Sequence, residues 1–340
     1  MKLLVCGDFY LDEATCDRRA PASLVTEALQ RVIREHDHAV LNFEGAIGDG
    51  LNAQAKSGPN LAAAPTSVDA ARELGFSIVT LANNHTMDFG RQGLEETRRA
   101  LARSDIRSLG AGLTEEHARE PLILDDGSKR VAIANVSHRE WGVARGERAG
   151  IHGLDLAKDL PAIRELKGSA DAVVVITHLG HEYTELQTPM VRETLQAFAE
   201  SGADAVINHH PHVNGGMARH GASTIFSSIG NFLFARHFGS HDESVRRGTA
   251  VSIDLGGDQG VEVTPIPIRF DAEHGQLDLA TGQHRDEWSR RFHRASACLA
   301  SREKTERALE DLLTSRRIEY LSRIEPRDNK VLRAVRRTEM

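Results

Sequence analysis

The chain has little cysteine: Cys6, Cys16 and Cys298 are its three thiols, scattered over 340 residues. That spacing excludes a disulfide framework and a zinc ribbon, and it fits a reducing compartment. Long apolar runs are missing too. The amino-terminal run Leu3-Leu4-Val5-Cys6 stops at Gly7-Asp8, too short for the core of a signal peptide and far too short for a bilayer span. A cytoplasmic protein without a membrane anchor is the expectation. Basic residues are not in excess: 42 Lys and Arg face 49 Asp and Glu, a formal charge of -7, so nucleic acid is not expected as a partner. Internal repeats and low-complexity tracts are absent as well. What remains is an ordinary globular composition, 40% hydrophobic and 27% charged, with length enough for one large domain or two ordinary ones.

Against that background the tetrad His209-His210-Pro211-His212 stands out, directly after the apolar run from Ala203 to Ile207. An extended backbone there would put His210 and His212 on one face, and proline disfavours a helix and biases its predecessor to extended conformations. Three imidazoles at the carboxyl end of a strand point to a metal site, since neutral imidazole is the commonest metal ligand. Other expected strands run out into similar chemistry. Lys2 to Cys6 leads to Asp8, which is either a ligand or a turn residue. His38 to Asn42 leads to Glu44. Phe76 to Leu81 leads to Asn84, His85 and Asp88. Here the amide oxygen can ligate a metal while Asp88 orients the imidazole, or the same residues simply turn the chain into a helix. Ala172 to Thr177 leads to His178 and His181. So many carboxylates and imidazoles exceed what one tetrahedral zinc needs, and a carboxylate can bridge two cations. The expectation is therefore a centre of two divalent ions, Mn, Fe, Co or Zn, with no organic cofactor.

Between these points helical spacing covers 22–36, 66–74, 92–103 and 190–200, and Asp125-Asp126-Gly127-Ser128 marks a hairpin between 121–124 and 130–136. The stretch 48–65 is a long loop without periodicity, a kind of segment that tends to be functional. A second loop, 137–153, carries His138 and Trp141. Alternating β and α followed by antiparallel strands over 249–255 and 261–270 predicts two stacked sheets with helices outside, a four-layer α/β/β/α sandwich. Residues 1–282 then form the catalytic domain. Residues 283–340 form a helical, charged carboxyl-terminal extension with Trp288, Phe292, Ala295 and Leu299 on one stripe and a basic end.

Six ordered blocks, Gly7-Asp8, Asn42-Phe43-Glu44, Ala82-Asn83-Asn84-His85 with Asp88 and Gly90, His178-x-Gly180-x-Glu182-Tyr183, His209-His210-Pro211-His212-Val213 and Ser228-x-Gly230-Asn231-Phe232, resemble the signatures of CapA proteins. These are the poly-γ-glutamate capsule proteins, with the fold of the calcineurin-like metallophosphatases. The resemblance implies metal ligation by Asp8, Glu44 as a bridge, Asn84, His178, His210 and His212, with His85 as acid, base or anion-stabilising group steadied by Asp88. Where many metallophosphatases carry a histidine two residues after the first aspartate, this chain has Tyr10. Either the first metal has fewer protein ligands or the phenol takes part.

Hydrolysis of a phosphoester or a γ-glutamyl peptide bond is the favoured reaction. The alternative is Cα epimerisation of a ribosomal peptide of the lasso-peptide precursor type, as in some CapA relatives. Tyr10, Asp12, His138, His181 and His293 are then candidate proton carriers, although Asp12 can equally cap a turn. A third reading is a non-catalytic assembly factor for a capsule polymer that keeps the metal cage for structure.

Overall fold

The apolar runs pair into two large sheets, beside which a two-stranded one is minor. The computed structural model describes residues 1–48, 50–257 and 260–323. The first half of the chain contains β1 (Lys2–Tyr10), α1 (Glu13–Arg18), α2 (Glu27–Arg34), β2 (His38–Phe43), α3 (Thr66–Leu74), β3 (Ile78–Thr80), α4 (Gly90–Arg103), β4 (Arg107–Leu109), β5 (Ala111–Gly112) and α5 (Glu115–Arg119). There follow β6 (Leu122–Asp125), β7 (Arg130–Ser137), β8 (Gly150–Ile151), α6 (Leu156–Ser169), β9 (Ala172–His178), α7 (Pro189–Glu200), β10 (Ala205–His209), β11 (Met217–His220) and β12 (Ser223–Phe226). The remainder is β13 (Asn231–Phe234), β14 (Arg247–Gly257), β15 (Gly260–Asp271), β16 (Gln276–Leu279), α8 (Gly282–Leu299) and α9 (Arg302–Arg323). One sheet has the order β16-β15-β14-β1-β2-β3-β4, with β13 beside the end of β1; the other runs β11-β12-β10-β9-β7-β6.

The central strands are buried on both faces, as parallel strands under helices must be. Period-two alternation distributes their side chains over three cores. Leu3 and Val5 of β1 meet Val174 and Ile176 of β9 and Ile207 of β10 between the sheets. Leu4 and Cys6 face outward to Leu29 and Ile33 of α2 and Val68 of α3. Val173, Val175 and Val206 face outward on the other side, to Ile163 of α6 and Leu195 and Phe198 of α7. The result is the expected four-layer α/β/β/α sandwich. The helical region after the sheets is present too, and its stripe is used: Trp288 and Phe292 of α8, stacked 4.5 Å apart, enter the core between the sheets. The Trp288 indole donates to Thr249 Oγ1 at 3.0 Å.

Several local expectations change. The helix expected over 22–36 is interrupted: Pro21–Leu24 is a single 3-10 turn and Thr26 N–H is taken by Leu277 O of the sheet edge, so α2 starts only at Glu27, with the Thr26 side chain as its cap. The apolar spacing there recorded burial of Leu24, Leu29 and Ile33, not helix length. β1 does not stop at Gly7-Asp8 but continues to Tyr10, with irregularities between Cys6 and Asp8 and between Asp8 and Phe9. Glycine is needed at 7, since a Cβ would lie 1.9 Å from Gly230 O. The basic positions from Arg327 on lie outside the described residues, as do the side chains of Arg316, Arg317 and Arg323.

Candidate metal centre

Five chain segments deliver their polar residues to one edge of the two sheets. Asp8 comes from the irregular part of β1, Glu44 from the residue after β2, Asn84 and His85 from the turn after β3, His178 from the end of β9, and His210 and His212 from the turn after β10. All seven are buried, with Asp8 and Glu44 wholly inaccessible. Their ligand atoms form two overlapping groups, Glu44 with His178 and His210, and Asp8 with Glu44 and His212, each within 4.8 Å. Glu44 is common to both. His178 Nε2 lies 2.9 Å from Asn84 Oδ1, 3.1 Å from His210 Nδ1 and 3.7 Å from Glu44 Oε1. His212 Nε2 is 3.6 Å from Glu44 Oε1, and its Nδ1 is 3.3 Å from Asp8 Oδ2.

Past His209, the last residue of β10, the histidine tetrad is not extended. His210 and His212 have φ of 93° and 58°, so the chain turns on both sides of Pro211 and the imidazoles converge from a bend. Left-handed conformations cost a β-substituted residue energy and persist where the surroundings enforce them. Here His210 N–H donates to Asp8 Oδ2, Pro211 O accepts from Tyr183 N–H and His212 O accepts from Asn231 Nδ2. His209 takes a different part: its Nδ1, 3.1 Å from Asp8 Oδ1, joins Asn42 Nδ2, which donates to the same oxygen at 2.8 Å. Both orient the Asp8 carboxylate.

The electrostatics call for positive charge. Both Glu44 oxygens are buried without a hydrogen-bond partner among the described residues, and burial, reinforced by nearby acids, pushes the Glu44 carboxyl well above the usual range. An ionised carboxylate in that state is costly unless a cation meets it. Burial and neighbouring imidazoles hold His178 and His210 well below their ordinary value, which leaves neutral rings with lone pairs to give. His212 goes the other way: burial opposes protonation, but Glu44 and Asp8 raise it to about 10. This donor set, carboxylates, an amide oxygen and neutral imidazoles, fits a divalent metal.

Beside it sits His85. Asn83 folds the turn by accepting from His85 N–H at 3.1 Å and Thr86 N–H at 3.0 Å, and anchors it by donating to Phe43 O at 2.9 Å. His85 Nδ1 is 2.7 Å from Asp88 Oδ2, which also accepts from Leu61 N–H at 2.6 Å. Burial lowers the His85 pKa against the raising influence of Asp88. Lys56, from the loop over 48–65, completes the group. Its ammonium pairs with Asp88 Oδ1 and lies 3.2 Å from Asn84 O and 3.1 Å from His85 Nδ1. Sequence reasoning missed Lys56, though it flagged the loop. It also gave no role to Asn42 and Asn231, both inside quoted blocks; Asn231 Oδ1 is 2.9 Å from His212 Nδ1.

The remaining candidates separate. Tyr10 donates its hydroxyl to Ala62 O at 3.1 Å, and burial, with the charge of Asp12, pushes its phenol up to about 12. Asp12 caps α1 by accepting from Thr15 N–H at 2.9 Å. His138 is half-buried with its ring 4.6 Å from that of His210. Its Nε2, 3.4 Å from Glu140 Oε2, makes no hydrogen bond among the described residues. His181 is exposed and reaches His138 only by its charge. His293 is exposed on α8 and bonded to Ser289 O at 2.7 Å.

Comparison with known proteins identifies the family. A similarity search finds the PGA biosynthesis protein CapA of Bacillus subtilis (strain 168) at 28% identity over 264 residues, 76% of this chain and 68% of that protein. The capsule biosynthesis protein CapA of Bacillus anthracis is 31% identical over 211 residues, 59% of this chain and 51% of that one. This chain therefore spans about half to two thirds of these relatives. Among solved structures, that titled "Putative 5'-Nucleotidase from Staphylococcus aureus in complex with alpha-ketoglutarate" superposes with a TM-score of 0.50 at 16% identity. The match covers 83% of this chain and 54% of the other, a likeness in fold, which is that of the metallophosphatases. Among the described residues no helix is long and apolar enough to cross a membrane. Residues 2–236 match the family described as "Bacterial capsule synthesis protein PGA_cap", and the chain belongs to that family.

Proposed function

We propose that the protein is a metal-dependent hydrolase with a dinuclear centre, acting on a phosphoester or a γ-glutamyl peptide bond. The observation that carries this reading is Glu44: a buried carboxylate without donors, shared by two ligand groups. Asp8, Glu44 and His212 would hold one ion; Glu44, Asn84, His178 and His210 would hold the other. When bound, such ions supply Lewis acidity at the substrate and make hydroxide available near neutral pH. The chain's own contribution is proton control. With Nδ1–H committed to Asp88, His85 has Nε2 left to face substrate: the protonated ring would give its Nε2 proton to a leaving group, and the neutral ring would accept one. Asp88, fixed by Lys56, Leu61 N–H and His85, keeps that ring in one orientation. The Bacillus relatives, named for PGA and capsule biosynthesis, favour an acidic glutamyl substrate.

Epimerisation is the second reading, and His138 favours it: a second imidazole beside His210 with a buried, unbonded Nε2 could carry a proton. The test begins with elemental mass spectrometry of wild type and His210→Ala. About two transition-metal ions per chain are expected in the wild type, as a dinuclear site requires, with loss in the variant. Metal-loaded protein is then given phosphodiesters, γ-glutamyl peptides and peptides in heavy water. Hydrolysis changes product mass by one water, whereas epimerisation leaves it unchanged apart from one deuteron. Metal-free protein that cannot be reconstituted would overturn both readings in favour of an assembly role.

A further inference from the structure

The loop over 48–65 brings a buried cation, Lys56, to the site. From Asn52 to Pro59 every residue is exposed except Lys56, whose side chain is 4% exposed. An ammonium is taken out of water at a cost that only charge pairing and hydrogen bonds offset. Lys56 has two acceptors within the turn that follows β3, Asp88 Oδ1 and Asn84 O; His85 Nδ1 lies 3.1 Å from the ammonium but gives its own proton to Asp88 Oδ2. Gln54 N–H donates to Asp88 O at 2.7 Å and Leu61 N–H to Asp88 Oδ2, so the loop closes around Asp88 from both sides of Lys56.

We infer that Lys56 is a positioning residue: by occupying Asp88 Oδ1 it leaves Oδ2 to the imidazole and so fixes the orientation of His85. The inference rests on the reading in which His85 Nε2 acts on substrate. Without Lys56 the carboxylate is held by Leu61 N–H alone, one oxygen is left without a partner, and His85 Nδ1–H loses the fixed geometry of its acceptor. The Asn84 peptide, whose side chain faces His178, loses a donor at the same time. A purely structural lysine would staple the loop and nothing more. The two roles predict different outcomes.

The experiment uses zinc-loaded protein labelled with 15N-histidine. The His85 Nδ1–H signal is identified by its disappearance in His85→Gln. In Lys56→Met that signal is expected to broaden into exchange with water while zinc content stays at the wild-type level. Turnover of bis(p-nitrophenyl) phosphate should fall about 10- to 100-fold in kcat at unchanged KM, the range typical of removing a partner that orients a metal-site residue. Lys56→Arg keeps the charge on a planar, bulkier head; it should regain the thermal stability of wild type with only part of its kcat. A wild-type His85 signal in Lys56→Met overturns the inference. So does full kcat with a wild-type signal in Lys56→Arg, which decides the matter even if Lys56→Met does not fold. A wild type inert toward the phosphodiester would count against the hydrolase reading alone, because the His85 signal still reports on Lys56.

Discussion

Glu44 is a residue whose cost the proposed metal would turn to use. Its carboxyl group is buried without a donor among the described residues, beside the Asp8 charge that raises its pKa further. Glu44→Gln keeps the shape but removes the charge that the proposed ions would share. Added metal is therefore expected to raise the Tm of wild type and to raise that of Glu44→Gln much less. Thermal denaturation of both proteins with and without added metal measures the difference; equal shifts in the two would rule it out. At this scale much was legible in the sequence. Asp8, Glu44, Asn84, His178, His210 and His212 are ligand-type residues at or just after strands, a pattern visible one segment at a time. Lys56 was not visible, because its meaning comes from partners 28 to 32 positions away in a loop without periodicity.

Elements are joined by polar pairs as well as by cores. Asp159, in the first turn of α6, accepts from Asp155 N–H and pairs with His152 and with Arg119 of α5. Burial alone would raise its pKa, but His152, the Asp155 amide and Arg119 together hold it below the usual carboxylate value. A depressed folded-state pKa stabilises above the unfolded value, about 3.9, and that stabilisation is lost as pH falls through the folded value. Asp159→Asn should accordingly lower Tm near neutrality, with the deficit shrinking below about pH 4. A deficit constant from pH 7 to pH 3 would mean the pairs contribute nothing through charge. Element identity was readable where one physical cause dominates, as in the valine run of β9 or the Asp-Gly hairpin between β6 and β7. It failed where tertiary hydrogen bonds override local preference: Thr26, whose N–H is taken by Leu277 O, delays α2, and His210 adopts a left-handed conformation ahead of a proline.

For the whole molecule, the covering of the space between the sheets is decisive. The stripe of α8 was legible as amphipathic helix, but nothing local told which surface it would cover. Trp288 and Phe292 enter the core that also contains Phe226 and Ile229. Trp288→Ala should cost about 3–5 kcal/mol, read as a fall in the urea midpoint. A change below about 0.5 kcal/mol, typical of exposed positions, would mean the helix merely rests on the surface. The proposed metal ligands raise the same question of distance along the chain. Asp8, Glu44 and Asn84 belong to one sheet and His178, His210 and His212 to the other, and both ligand groups mix the two. Neither sheet can bind an ion as this site would. If the site holds metal as proposed, the chain must emerge past His212 and bring the two sheets together before it can take up an ion, and metal uptake would then report that the sheets have met.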